Sequence, residues 1–149
     1  MSRTVTLIVV VLALAGVYFL FYMSQRIEIA QELTPTALIH IGSSVIEVEV
    51  ASTPIARAQG LSGRKSLGEG KGMLFVFWEE GNWGIWMKDM QFPIDIVWAR
   101  EDGTITTVLH DVATSTYPEI FYPSTPDAYY VLEVPAGSAK HEGIEGGIK

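Results

Sequence analysis

The 149-residue sequence contains no cysteine, which excludes disulfides, thiolate zinc sites and cysteine nucleophiles together. Basic charge is also scarce. The chain's 10 Lys+Arg and 17 Asp+Glu give −7 overall, and setting aside Arg3 and Arg26 leaves −9 for the stretch from Ile27 onward. Nucleic acid is bound through a basic stripe that displaces counterions, and anionic lipid headgroups through polybasic clusters. Neither is present, so no nucleic acid partner is expected. There is no internal repeat and no low-complexity tract. Gly143, Gly146 and Gly147 lack the preceding strand and following helix of a phosphate loop. Ser62, between Leu61 and Gly63, lacks the frame of a nucleophile elbow. His40, His110 and His141 share no metal-ligand spacing, and His110-Asp111 reads as a surface strand end. No metal and no cofactor are expected.

What the sequence does have is one dense apolar block. Residues 4–23 carry no charge, and twenty residues at 1.5 Å rise span about 30 Å, the hydrocarbon thickness of a bilayer. Tyr18 and Tyr22 suit the headgroup boundary at its end. The alternative is a cleaved signal peptide cut after Ala13-Leu14-Ala15. That cut would leave Gly16-Val17-Tyr18-Phe19-Leu20-Phe21 as a strongly apolar new terminus, so the segment reads as an uncleaved signal anchor. Residues 1–3 are then a short tail, 4–23 a single transmembrane helix in the lipid bilayer of the cell membrane, 24–35 a polar juxtamembrane spacer, and 36–149 an extracytoplasmic domain.

That domain alternates as β structure does. Residues 37–41 and 45–50 flank Gly42-Ser43-Ser44 as a hairpin, with Ile46, Val48 and Val50 opposed to Glu47 and Glu49. Thr53-Pro54 reads as N-cap and first residue of a short helix, Ile55–Leu61. Strands are predicted at 73–78, 84–90, 95–100, 104–110 and 128–134, with Glu101-Asp102-Gly103 as a turn, 111–127 as a loop and a second short helix at 136–142. Met73–Trp78 and Ile94–Trp98 are apolar on both alternating faces apart from Asp95. Such strands have to be covered twice. The expected fold is therefore mainly β, a small single-domain barrel- or sandwich-like fold with one or two short helices, preceded by one transmembrane helix.

Lys88, Asp95 and Glu133 interrupt apolar strands. An isolated buried charge costs several kcal/mol, so these residues should be paired or should face a wet cleft. The expected cluster sets Lys88 or Arg64 against Asp95 and Glu133, either as a structural network or as a site able to hold a polar ligand or move a proton. Of the four tryptophans, Trp83 reads as exposed in a loop, while Trp78, Trp86 and Trp98 read as core.

Four ordered blocks carry a resemblance: Gly60-Leu61-Ser62-Gly63-Arg64-Lys65-Ser66-Leu67, Gly72-Met73-Leu74-Phe75-Val76-Phe77, Trp86-Met87-Lys88-Asp89-Met90-Gln91-Phe92-Pro93-Ile94-Asp95, and Tyr130-Val131-Leu132-Glu133-Val134-Pro135-Ala136-Gly137. Together they resemble the domain of unknown function 192 family, over residues 46 to about 147. The resemblance implies a small β-rich single domain, often secreted or membrane-anchored, and puts Arg64, Lys88, Asp95 and Glu133 on the family's polar motif positions. Asp89 stands where asparagine is common in the family, and Ser62 where methionine is frequent. No activity comes with the resemblance.

The function expected from these features is a membrane-anchored binding module that offers Arg64, Lys88, Asp95 and Glu133 to a small polar ligand, a glycan or an envelope protein. One alternative is a cell-envelope hydrolase using Asp95 and Glu133 as acid and base, which requires two carboxyls within about 5–9.5 Å. The other is an accessory subunit of a membrane assembly, packing through Ala13, Ala15 and Gly16.

Overall fold

The computed structural model describes residues 11–23 and 34–149. The chain divides into two units at Thr34/Pro35. In the first, helix α1 covers residues 11–23, and every residue of it is exposed. Among the described residues no helix is long and apolar enough to cross a membrane. The predicted span 4–23 is seen only in its last thirteen residues, because 4–10 lie outside the described residues, as do 1–3 and most of the 24–35 spacer.

The second unit is built on one six-stranded sheet. Its strands are β1 (Thr36–Ile41), β2 (Ser44–Ala51), β3 (Lys71–Gly81), β5 (Ile94–Ala99), β6 (Ile105–Val112) and β8 (Ala128–Pro135). They lie in the order β1-β2-β3-β8-β5-β6. All neighbours are antiparallel except β2 and β3. A parallel pair needs a crossover, and α2 (Pro54–Gln59) lies within it. Helix α2 begins as predicted: Thr53 accepts the Ala56 N–H at 3.1 Å, and Pro54 takes the first helical position. A ribbon of β4 (Ile85–Trp86) and β7 (Ile120–Phe121) stands apart from the main sheet.

Each face of the sheet carries its own core. On the first, Met73, Phe75, Phe77, Ile94, Ile96, Trp98 and Val131 pack with Leu61, Ile85 and Met87. On the second, Ile46, Val48, Val97, Leu132 and Val134 pack with Ala139 of α3 (Ser138–His141) and with Ile144. Two such layers satisfy the strands that are apolar on both faces, so the sheet stays open. Among the described residues the expected barrel closure is absent, and no second sheet of similar size faces the first.

Other expectations give way locally. The strand predicted at 84–90 shrinks to Ile85–Trp86, and the chain turns at Lys88-Asp89, where Asp89 takes φ +56°. The predicted loop 111–127 contains a 3-10 turn at Thr114–Thr116 and β7.

Candidate functional site

Side chains along a strand alternate between faces, and residues directly paired across strands share one. In the β5–β8 register Asp95 faces Val134 while Ile96 faces Glu133. Val134 belongs to the second core and Ile96 to the first. Asp95 and Glu133 therefore stand on opposite faces of the sheet. The expected acid–base pair does not exist, and the hydrolase reading that rested on it falls.

Asp95 is fully buried. Its Oδ1 accepts the Asp111 N–H and its Oδ2 the Ala139 N–H, both at 2.8 Å. His110 Nδ1 lies 3.9 Å from Oδ2. The expected cation is thus replaced by two backbone donors, which tie the end of β6 and the start of α3 to the middle of the sheet. Asp95 is a structural latch, neutralised by neither Lys88 nor Arg64.

Glu133 is of another kind. The residue is 5% exposed, and among the described residues no hydrogen bond or ion pair reaches its carboxyl; since none of them leaves a fully buried side-chain oxygen without a partner, the carboxyl keeps contact with solvent. Burial disfavours the carboxylate and pushes its pKa from 4.5 up to about 8, against a weaker downward pull from Arg64. Arg64 itself is engaged elsewhere. It grips the Glu49 carboxylate with both terminal nitrogens, Nη2 to Oε2 at 2.7 Å. Those hydrogen bonds, ahead of the charges themselves, lower the Glu49 pKa and raise that of Arg64. The pairing has a simple cause. In the sheet Glu49 aligns with Met73 and Met73 with Glu133, so the two glutamates share a face, with a strand between them.

The Glu133 carboxyl faces a cavity of about 220 Å³ between α2, β3 and β4. Leu61, Phe75, Phe77 and Ile85 form much of its wall, with Arg57, Gln59 and Trp86 among the lining. Arg57 is held by the Ser52 and Val76 carbonyls at 2.7 and 2.8 Å, and its guanidinium carbon sits 5.1 Å from both the Phe77 and the Trp78 ring centres. Two other cavities are larger. One of about 280 Å³ on the second face has mostly aliphatic walls, and one of about 430 Å³ lies beside α3. Of their charged lining residues, Glu69, Lys71 and Lys149 are exposed.

Of the four expected site residues, then, Glu133 lines the cavity and Arg64 lies near enough to influence it. Asp95 is behind the sheet. Lys88 is exposed on its turn, its Nζ 5.7 Å from the centre of the Trp86 ring, and its carbonyl accepts the Ser62 hydroxyl at 2.9 Å. The tryptophans reverse in part. Trp83 is half-buried and stacked on Phe77, 4.3 Å between centroids, while Trp78 and Trp86 are 63% and 48% exposed; Trp98 is core as expected. Arg57 and Glu49 had not been expected at the site. A basic residue in the last turn of a short helix beside an aromatic strand was the available hint for Arg57. Among the described residues no cluster of three or more His, Asp or Glu could hold a metal ion.

The family model DUF192, described as an uncharacterised ACR, matches residues 37–149. No curated protein matches the chain. Two crystal structures are similar. One is a protein of unknown function from Novosphingobium aromaticivorans, 26% identical with a TM-score of 0.69, the match covering 76% of this chain and 83% of that one. The other is a Sinorhizobium meliloti protein described as a proposed transcription regulator, 34% identical with a TM-score of 0.68, covering 76% and 88%.

Proposed function

The chain belongs to the domain of unknown function 192 family, and from that premise we propose that its β domain is a membrane-anchored binding module with the Glu133 cavity as its ligand site. One observation carries the reading: a largely buried carboxyl that no protein group among the described residues hydrogen-bonds, and that keeps contact with solvent where it lines a cavity. A ligand that hydrogen-bonds Glu133 replaces that solvent with a fixed partner inside a low-dielectric cavity, where a hydrogen bond is stronger than in water. At neutral pH the raised pKa makes Glu133 both a donor and an acceptor. The anchor rests on the uncharged run 4–23 and on the exposed apolar surface of α1. In this reading the domain lies on the extracytoplasmic side of a single-pass anchor.

The description of the Sinorhizobium protein suggests a role on DNA. The −9 charge of the stretch from Ile27 argues against carrying it over, since such a surface repels phosphates.

The test is a thermal-shift screen of small polar compounds on the full chain. A ligand at a hundred times its Kd raises stability by about 2.7 kcal/mol. The expected result is a hit whose shift is lost in Glu133→Gln or Arg57→Ala. Hits that stabilise both variants as much as wild type would move the site elsewhere.

A further inference from the structure

The rim of the Glu133 cavity exposes more aromatic surface than a finished domain needs. Trp86 lines the cavity and is 48% exposed. Its ring meets Tyr117 edge-on, 6.0 Å between centroids, and Tyr117 is 45% exposed. On the Arg57 side, Trp78 is 63% exposed and meets Trp83 edge-on at 4.9 Å. Large aromatics left in water beside a cavity mark a surface that something covers.

The charges narrow what that something is. An amine would enter against Arg57, which lines the cavity, and Arg64, whose charge already reaches Glu133. An anion would approach a domain of strong negative charge. A wholly apolar ligand would leave Glu133 unsatisfied and remove it from its remaining water. A neutral molecule with hydroxyl groups at its edges and an apolar face avoids all three costs. Its hydroxyls pair with Glu133 and with the Gln59 amide oxygen, and its face stacks on indole. The cavity, about 220 Å³, is below the ~300–1,000 Å³ that takes a drug-sized ligand. One ring fits inside, and further units would lie across Trp86 or Trp78.

We infer that the site binds a neutral saccharide, one sugar ring at Glu133 and neighbouring rings on the exposed tryptophans. The inference rests on the Glu133 cavity being the ligand site. Neutral gluco-, malto- and N-acetylated chito-oligosaccharides are titrated against the full chain, solubilised without a glycoside detergent, by calorimetry and tryptophan fluorescence. Uncharged nucleosides and neutral amino acids serve as the comparison. The expected result is saturable binding of at least one saccharide series, tighter for two or three units than for one. Trp86→Ala and Glu133→Gln should each weaken it tenfold or more. Both variants are judged only where the near-ultraviolet circular dichroism stays native-like, and Trp86→Phe, which keeps a stacking ring, should restore most of the affinity. Three outcomes overturn the inference. Nucleosides or amino acids that bind Glu133-dependently while saccharides do not would retain the cavity and reject the sugar. Saccharides that bind Trp86→Ala and Glu133→Gln as tightly as wild type would place sugar binding elsewhere. No binding by any probe rejects the sugar, leaving the cavity to the wider screen.

Discussion

A carboxyl whose pKa is raised by burial makes stability depend on pH in a direction opposite to most acidic groups. Glu133 has its pKa raised in the folded chain to about 8, from 4.5. Below 4.5 it is protonated whether the chain is folded or not, and it carries no ionisation penalty. Between 4.5 and about 8 the unfolded chain releases the proton while the folded one keeps it, so stability falls as pH rises and levels off above 8. The loss is on the order of 3–5 kcal/mol at its limit. Glu133→Gln removes the titration. Chemical denaturation should find the variant close to wild type at pH 4.5 and clearly more stable at pH 8.5; parallel curves across that range would refute a buried, proton-holding Glu133. Asp95 should behave as a latch. Asp95→Ala strands two N–H donors, the buried one of Ala139 and the partly buried one of Asp111, and should cost about 3 kcal/mol. Asp95→Asn keeps one acceptor and turns an amide toward the other donor, so it should lose roughly 2 kcal/mol by the same measurement. An unchanged midpoint for Asp95→Asn would mean the latch contributes nothing. That Asp95 and Glu133 needed an explanation was readable from their apolar neighbours. That they need different explanations was not, because alternation fixes faces within a strand and only the β5–β8 register relates one strand to the next.

At the scale of elements, the parts with local chemistry were the readable ones. Thr53-Pro54 started α2, Gly42-Ser43 turned the first hairpin, and residues 136–142 contained α3. The β4–β7 ribbon was hidden because each strand is two residues long, too short for alternation to register, and β7 lies in a Pro-, Ser- and Thr-rich stretch. The β2–β3 parallel pairing was equally invisible, although it is what brings Glu49, and through it Arg64, onto the Glu133 face. Gly72 shows how tightly β3 and β8 are seated there. A Cβ on Gly72 would come within 3.0 Å of both the Glu133 carbonyl oxygen and Leu132 Cδ1, and 3.2 Å of Val134 Cγ1. Overpacking of this kind costs about 1–3 kcal/mol. Gly72→Ala should therefore lower the denaturation midpoint and, by displacing β8 at Glu133, weaken any ligand found by the screen. A variant as stable as wild type would show that the strands can separate slightly without cost.

The whole molecule poses a question of balance between its two units. The domain from Pro35 buries apolar side chains on both faces of its sheet, and its charge balance is acidic. Nothing in that composition requires a lipid. Helix α1 is the reverse. Val11, Leu12, Leu14, Val17, Phe19, Leu20 and Phe21 are each more than half exposed, and a helix apolar all round is stable only where its surroundings are apolar too. With residues 4–10 continuing the same uncharged run, the whole segment has the length to cross a bilayer. We therefore expect the full chain to stay with membranes through an alkaline carbonate wash, and a chain starting at Pro35 to be released as a folded, strand-rich species. In the proposed extracytoplasmic orientation, protease added to intact spheroplasts should digest the domain. Protection of the domain would reverse the orientation. A mature terminus at Gly16, read by mass spectrometry, would remove the anchor altogether and turn the protein into a freely secreted one. The cavity at Glu133 would survive that result unchanged, because none of its lining residues lies before Arg57.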